Sequence, residues 1–433
     1  MILVFTLLTQ NNDISAEHKS QKHYVAFITK NLNDGGIERV TQLLTNQLSQ
    51  RGAQILLITS KESDNDFKVP DNVLRFIIPF VEDEPQEYID SLSWDQIQDL
   101  IAKQTMQLLK LKQNLNIKLF VCQEHWSIRN FLTIQTLKRN NIPVIAVDHN
   151  FFLQPLCSFQ QYLFDFSKQA YPMADAVLCL SRVDVQLWRK LGVKNALYMP
   201  NPLTFDINAI QLSTLSSKNI VLIGRFNKRH KQQHLAIQMM QHVLKSEPDA
   251  ILQLIGSGSD EYRNECKQLA QQLNIQSGVQ FIDFQSDIER FYKNASVLIL
   301  TSAIEGFPMV LAEAKSFGIP AVAFDLEFCE LYQDGVSVVS KGDVEGMAKE
   351  VIHLLQNQTL RIEKGKEARQ SVEKFNTDAT IDKWVRLITG IIDGTDIVAQ
   401  MQDEEDSVSE EKAMEIYKKE LAFWGQEDFK IFD

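Results

Sequence analysis

Long apolar runs, paired cysteines and net positive charge are all scarce in this sequence. The opening stretch, MILVFTLLTQNND, stays apolar for only about nine residues, far short of the ~20 that span a bilayer. It has no basic leader and no small-residue cleavage pattern, so it reads as an ordinary N-terminal segment rather than a signal peptide. Any membrane contact would have to be peripheral. The five cysteines, at 122, 157, 179, 266 and 329, show no metal or redox spacing. Their odd number fits scattered, reduced thiols in a cytosol. The formal net charge is −12, and residues 403–433 alone hold eleven Asp or Glu against four Lys. Such a chain is a poor match for nucleic-acid phosphates. The acidic tail reads as a solvated end, with a docking segment as the other reading. No G-x-G-x-x-G opens a helix, and IGSGSDEY (255–262) lacks the third glycine. That argues against a dinucleotide oxidoreductase.

What is present is alternation. With 433 residues, 44% hydrophobic and 23% charged, the chain suits two packed domains of about 200 residues each. HYVAFI, a Gly-rich turn NDGGIERV, the helix-like TQLLTNQLSQRG and the buried-strand run QILLIT follow the strand–turn–helix–strand order of a parallel sheet. KLFVC, PVIAVDHN, ADAVLCLS and NALYMP continue it. The polar stretch 207–219 reads as a linker. A second alternation then runs through KNIVLIG, AILQLIGSGS, VLILTS and PAVAF. The expected fold is α/β, with two Rossmann-like doubly wound domains facing across a cleft. The expected boundaries are 1–205, 206–385 and a helical, acidic tail at 386–433 that packs back on the first domain. Ligands are expected outside the carboxyl ends of the strands.

One stretch carries the chemistry. EGFPMVLAE (305–313) begins after a strand, has Pro308 suited to the first turn of a helix, and has a glutamate at each end. Free N–H groups and the helix dipole favour an anion at that first turn. A carboxylate is the wrong partner for a phosphate, so Glu305 and Glu313 must hold hydrogen-bond donors, for which sugar hydroxyls are suited. Glu305 sits at the turn, and Glu313 about one and a half turns into the helix, roughly 7–9 Å further on at about 1.5 Å rise per residue. Hydroxyl groups on either side of an anion describe a nucleotide-sugar. GRFNKRHK (224–231) supplies positive charge for the diphosphate, with Arg225 as a fork and Lys231 as a point charge.

Gly224-Arg225 with a following lysine, and Glu305-x7-Glu313 inside SAIEGFPMVLAEAKSFGIPAVAFD, resemble the retaining glycosyltransferases of family 4, which have the GT-B fold. NDGGIERV resembles that family's GGxER loop, and DGVSVVSKGDVEGMAKEVIHLL the segment that follows its glutamate motif. The resemblance runs from about residue 23 to 392. It implies that Glu305 binds donor-sugar hydroxyls, Glu313 the ribose, and Arg225 and Lys231 the diphosphate. It further implies that the amides of Phe307, Met309 and Val310, beside Gly306, line the phosphate and sugar pocket. Gly36 would approach the phosphate across the cleft, His149 would sit by the transferred sugar, and the base would lie near Gly256 and FIDF (281–284). Lys231 follows Arg225 by six residues, where five is commoner, so Lys228 and Arg229 are candidate substitutes. Lys315 and Phe317 also depart from the family pattern.

The activity implied is retaining, metal-independent transfer of a hexose-type sugar to a glycan or lipid-linked acceptor in cell-surface polysaccharide synthesis. No cofactor is implied beyond the nucleotide-sugar substrate, with UDP the commoner carrier, and no nucleic-acid partner. The setting implied is the cytoplasm, with a peripheral position at the inner face of the cell membrane as a further expectation. A non-catalytic partner that kept the fold is the alternative. Asp64-Asn65-Asp66 mimics an acid-x-acid metal site but sits in a polar loop and reads as a solvated turn. Lys103, Lys110, Lys112 and Lys118 flank an apolar stripe that reads as a packed surface helix, with membrane contact as the sharper reading.

Overall fold

The structure is a computed structural model and describes residues 23–33, 35–63, 66–79, 91–123, 128–154, 161–326, 328–405, 407–425 and 432. Seven strands, β1 (Tyr24–Ile28), β2 (Ile55–Thr59), β3 (Leu74–Ile77), β4 (Ile117–Cys122), β5 (Val144–Asp148), β6 (Ala176–Cys179) and β7 (Ala196–Tyr198), form one sheet in the order β3-β2-β1-β4-β5-β6-β7. Six more, β8 (Asn219–Ile223), β9 (Ile251–Ile255), β10 (Val279–Ile282), β11 (Val297–Leu300), β12 (Ala321–Phe324) and β13 (Val336–Val339), form a second sheet in the order β10-β9-β8-β11-β12-β13. Every pairing is parallel; Phe27 faces Leu57 on one side and Val121 on the other. Strands buried on both faces read as continuous apolar runs, as in ILLIT and AVAF.

Helices cover both faces. The first domain has α1 (Gly36–Gln50), α2 (Trp94–Leu115), α3 (Ile128–Arg139), α4 (Gln161–Ala170) and α5 (Arg182–Lys190). The second has α6 (Gln233–Ser246), α7 (Asp260–Gln272), α8 (Glu289–Asn294), α9 (Met309–Ser316), α10 (Val344–Gln356) and α11 (Gln358–Val372). In α1 the buried Val40, Leu44 and Leu48 recur at four-residue steps, the stripe that turns one helix face to the core. A capping box starts α2: Gln96 N donates to Ser93 Oγ at 3.3 Å and Ser93 N to Gln96 Oε1 at 2.8 Å. The outward face of α2 carries Asp99, Lys103, Met106 and Lys110. Among the described residues no helix is long and apolar enough to cross a membrane.

Sheet order reverses between β1 and β4 and between β8 and β11. At such switch points neighbouring crossovers leave on opposite faces and open a crevice. Both crevices open onto one cleft of about 940 Å³ between the domains.

Three expectations need correction. The stretch 207–219 is no loose linker: Ser213 N donates to Phe317 O at 3.0 Å, and Arg361 Nε and Nη2 donate to the Leu215 carbonyl at 2.9 and 2.7 Å. Nor is the acidic tail a solvated end. After α12 (Thr377–Ile392) come α13 (Ile397–Asp403) and α14 (Glu410–Phe423), whose Ala413, Ile416, Tyr417 and Leu421 are buried. The acids pair with cations: Glu405 with Arg189 at 3.4 Å, Glu410 with Lys190 at 2.5 Å, and Glu420 with Lys341 at 2.5 Å. Glu404 reaches Arg386 at 2.5 Å. Thus α14 touches α5 in the first domain and Lys341 in the second. Finally, Pro308 is the N-cap residue of α9 rather than part of its first turn.

Candidate active site in the interdomain cleft

At the end of β8 the chain turns through Gly224 into Arg225. Lys231 is placed by its own backbone: its N–H donates to Asn227 O at 3.0 Å, and Thr301 Oγ1 donates to its carbonyl at 2.7 Å. Its ammonium then meets Glu305 Oε1, which also accepts from Ser302 Oγ at 2.6 Å. Lys228 pairs instead with Glu265 at 2.7 Å, and Arg229 is exposed. The lysine that faces the glutamate is therefore Lys231.

From β11 the chain passes Glu305, Gly306, Phe307 and Pro308 before α9 begins at Met309. The first intrahelical bonds run from Leu311 and Ala312 N–H to Pro308 O, at 2.9 and 3.2 Å. The Phe307, Met309 and Val310 amides therefore lie at the positively polarised end of the helix. Glu313, on the next turn, is 7% exposed. Its Oε1 accepts from Thr204 Oγ1 at 2.7 Å and its Oε2 from Tyr292 O–H at 2.6 Å. Burial raises its pKa above the usual carboxylate range; the two hydrogen bonds and the Arg39 charge work against that rise.

The facing wall is built by the ends of β1, β4 and β5. His149, 6% exposed, shares a short hydrogen bond with Gln123 Oε1, and Gln123 is fully buried. Below it, Asp148 accepts from Trp188 Nε1 at 2.8 Å, and burial pushes its pKa up. The domains meet backbone to backbone here. A Cβ at Gly306 would lie 2.3 Å from the His149 carbonyl oxygen, so only glycine fits. At the start of α1 the constrained glycine is Gly35 rather than Gly36. A Cβ at Gly35 would lie 1.9 Å from Glu38 Oε2 and 2.2 Å from Arg225 Nη2, whereas Gly36 has open space. Arg225 thus crosses the cleft and lies 3.5 Å from Glu38 Oε2.

All twelve residues singled out from the sequence line this one cleft: Gly36, His149, Gly224, Arg225, Lys231, Gly256, Glu305, Gly306, Phe307, Met309, Val310 and Glu313. Phe284 lines it as well, edge-on to Phe67 of the first domain with centroids 6.5 Å apart. Sequence reasoning missed Gln123, Thr204, Tyr292, Glu38 and Arg39. Gln123 directly follows KLFVC, so its place at a strand's carboxyl end was a usable signal. Glu38 and Arg39 stood inside the quoted NDGGIERV. Asp64 and Asn65 lie outside the described residues, and Asp66 Oδ2 is bonded by Arg75 at 2.6 Å. Among the described residues no three His, Cys, Asp or Glu gather as a metal site would require. The four described cysteines are free and buried; Cys157 lies outside the described residues.

Two facing Rossmann-like domains with this cleft between them define the GT-B fold. The family described as glycosyl transferases group 1 matches residues 206–371, and Glycosyltransferase Family 4 matches residues 34–203. The chain belongs to this family of group 1, family 4 glycosyltransferases. An uncharacterized glycosyltransferase of Haemophilus influenzae is 24% identical over 84% of this chain and 99% of its own. A GalNAc-alpha-(1->4)-GalNAc-alpha-(1->3)-diNAcBac-PP-undecaprenol alpha-1,4-N-acetyl-D-galactosaminyltransferase of Campylobacter jejuni is 23% identical over 85% of this chain and 98% of its own. Among solved structures, Anabaena HepE in complex with UDP and glucose superposes with a TM-score of 0.67 at 16% identity, covering 84% of this chain and 99% of that one.

Proposed function

We propose that this chain transfers a hexose-type sugar, with retention, from a UDP-sugar to a glycan or lipid-linked acceptor in the assembly of a cell-surface polysaccharide. The observation that carries this reading is the meeting of Arg225, Lys231, Glu305, Glu313 and the α9 N-terminus in one cleft, opposite His149. Arg225, Lys231 and the amides at the start of α9 would neutralise the diphosphate as the bond to the sugar breaks. Those fixed charges do the work a metal does elsewhere, which supports a metal-independent reaction with no cofactor. Glu313 would accept from the ribose hydroxyls and Glu305 from the sugar, with His149 beside the transferred ring. The base would lie toward Gly256, Ser257 and Phe284. In a front-face reaction the sugar carbon parts from the diphosphate oxygen and joins the acceptor oxygen on the same face, and the acceptor proton leaves with the departing phosphate.

The acceptor side belongs to the first domain, and the exposed face of α2 is where it would rest against a membrane bearing a lipid-linked acceptor on the cytoplasmic side. Relatives support that class of acceptor, since the Campylobacter enzyme is named for an undecaprenol-linked one.

A panel of nucleotide-sugars with a hydrolysis readout tests the reading. Arg225→Ala and Glu305→Ala are each expected to lower turnover about 10²–10³-fold while the melting temperature stays near wild type. Full activity in both ends the proposal. Absence of any nucleotide binding by calorimetry would favour a non-catalytic partner instead.

A further inference from the structure

Two neighbouring residues of opposite sign open α1, Glu38 and Arg39, and each faces a donor-site residue of the other domain. Glu38 Oε2 lies 3.5 Å from Arg225 Nη2. Glu38 is largely shielded, with 14% of its side chain exposed, whereas Arg225 is 52% exposed. The crossing exists because Gly35 has no side chain: a Cβ there would occupy the space of both groups. Arg39 lies over the Phe67 ring, 5.2 Å from its centroid, and lines the same cleft as Glu313. Burial raises the pKa of the Glu313 carboxyl; the hydrogen bonds from Tyr292 and Thr204 oppose the rise first, and the Arg39 charge after them. Lys231 and Glu305, by contrast, pair with each other within the second domain.

We propose that Glu38 and Arg39 are positioning residues, through which the first domain orients Arg225 and places a cation in the cleft that Glu313 lines. This rests on the donor reading above. A guanidinium has five donors in a fixed plane, so Arg225 can turn one edge to Glu38 and another to the diphosphate. Held from the far wall, it is biased toward the cleft when charge develops on the leaving group. Glu313 is faced by Thr204 from the segment after β7, by Tyr292 from α8 and by Arg39 from α1. Of these only Arg39 is a cation. Without it, only the Tyr292 and Thr204 hydrogen bonds would oppose the burial that favours the protonated form, which accepts fewer hydroxyl hydrogen bonds.

The test uses the full chain, UDP alone as the binding probe, and the UDP-sugar hydrolysed fastest in the panel. Glu38→Gln is expected to keep UDP affinity within about twofold and to lower kcat about tenfold, a loss of about 1.4 kcal/mol in transition-state stabilisation. Glu38→Asp should recover part of it. Arg39→Met should move the acid limb of the kcat/KM profile to higher pH, and Arg39→Lys should move it back. Gly35→Ala, which removes no charge, should reproduce the kcat loss of Glu38→Gln. Wild-type kcat and an unmoved acid limb in these variants overturn the inference. So does a parallel loss of melting temperature, UDP affinity and kcat, since that marks a merely structural role. A wild-type chain that binds no UDP takes the donor reading down as well, which separates the two failures.

Discussion

Glu313 sits among Thr204, Tyr292 and the core side of α9, where its charge is costly and its hydroxyl-binding capacity is useful. Because its pKa in the fold lies above the ordinary glutamate value, the folded chain holds this proton more tightly than the unfolded one. Stability from this group is therefore lost as pH rises from the ordinary glutamate value through the raised one. Glu313→Gln should melt higher than wild type at neutral pH, the difference closing as pH falls below the ordinary value. The same change should weaken UDP binding. Melting curves at several pH values, paired with calorimetry, check both, and a lower melting point at neutral pH would contradict the account. Such a residue is legible in sequence only halfway. The pair Glu305-x7-Glu313 marks it, but Thr204 and Tyr292, which fix its two oxygens, lie 109 and 21 residues away and carry no motif.

At the scale of single elements, α9 is held by a residue that broke the family pattern. Lys315 is 1% exposed and donates to the Leu331 carbonyl at 2.8 Å. Burial lowers its pKa to about 8. Between that value and the ordinary lysine value the unfolded chain binds the proton more tightly, so stability rises with pH across that window. Lys315→Met should flatten this rise, as denaturant titrations at pH 8 and 10 would show; an unchanged slope would count against it. Strand recognition followed burial. YVAFI, ILLIT and AVAF, buried throughout, stood out as apolar runs. The edge strand LRFI did not, because none of its residues is fully buried and Arg75 interrupts the pattern. Gly36 drew attention over Gly35 for a similar reason: two adjacent glycines look alike until the opposite domain shows which one Arg225 must pass.

Across the whole molecule, the two halves are joined at three kinds of place. Gly306 meets the His149 backbone at the cleft, Phe151 stacks on Phe328 with centroids 3.7 Å apart, and the C-terminal helices cross between domains. Trp384 of α12 lies 6.2 Å from Phe27 of β1, and Arg51 pairs with Asp378 at 2.6 Å. The Lys341–Glu420 pair is the most buried of the ionic ties, with 8% and 4% of the side chains exposed. Glu420→Ala leaves a shielded ammonium without its carboxylate and should cost about 3 kcal/mol in unfolding free energy. Replacing both partners with Met should restore most of it; chemical denaturation compares the three, and a neutral single variant would show the tie to be idle. The tail's helical character and its packing against the first domain were expected from the sequence, but its ionic ties were not, because acids outnumber lysines there and suggest solvation. The apolar residues at 413, 416, 417 and 421 supply the helical stripe that the charge count hides.

That strap has a consequence for how the molecule comes into being. Both sheets precede α12, α13 and α14 along the chain, so a ribosome releases each half before the piece that clamps them together. A reaction centre lined from two separately made lobes therefore receives its bridging helices from the last described segment of the chain to be synthesised.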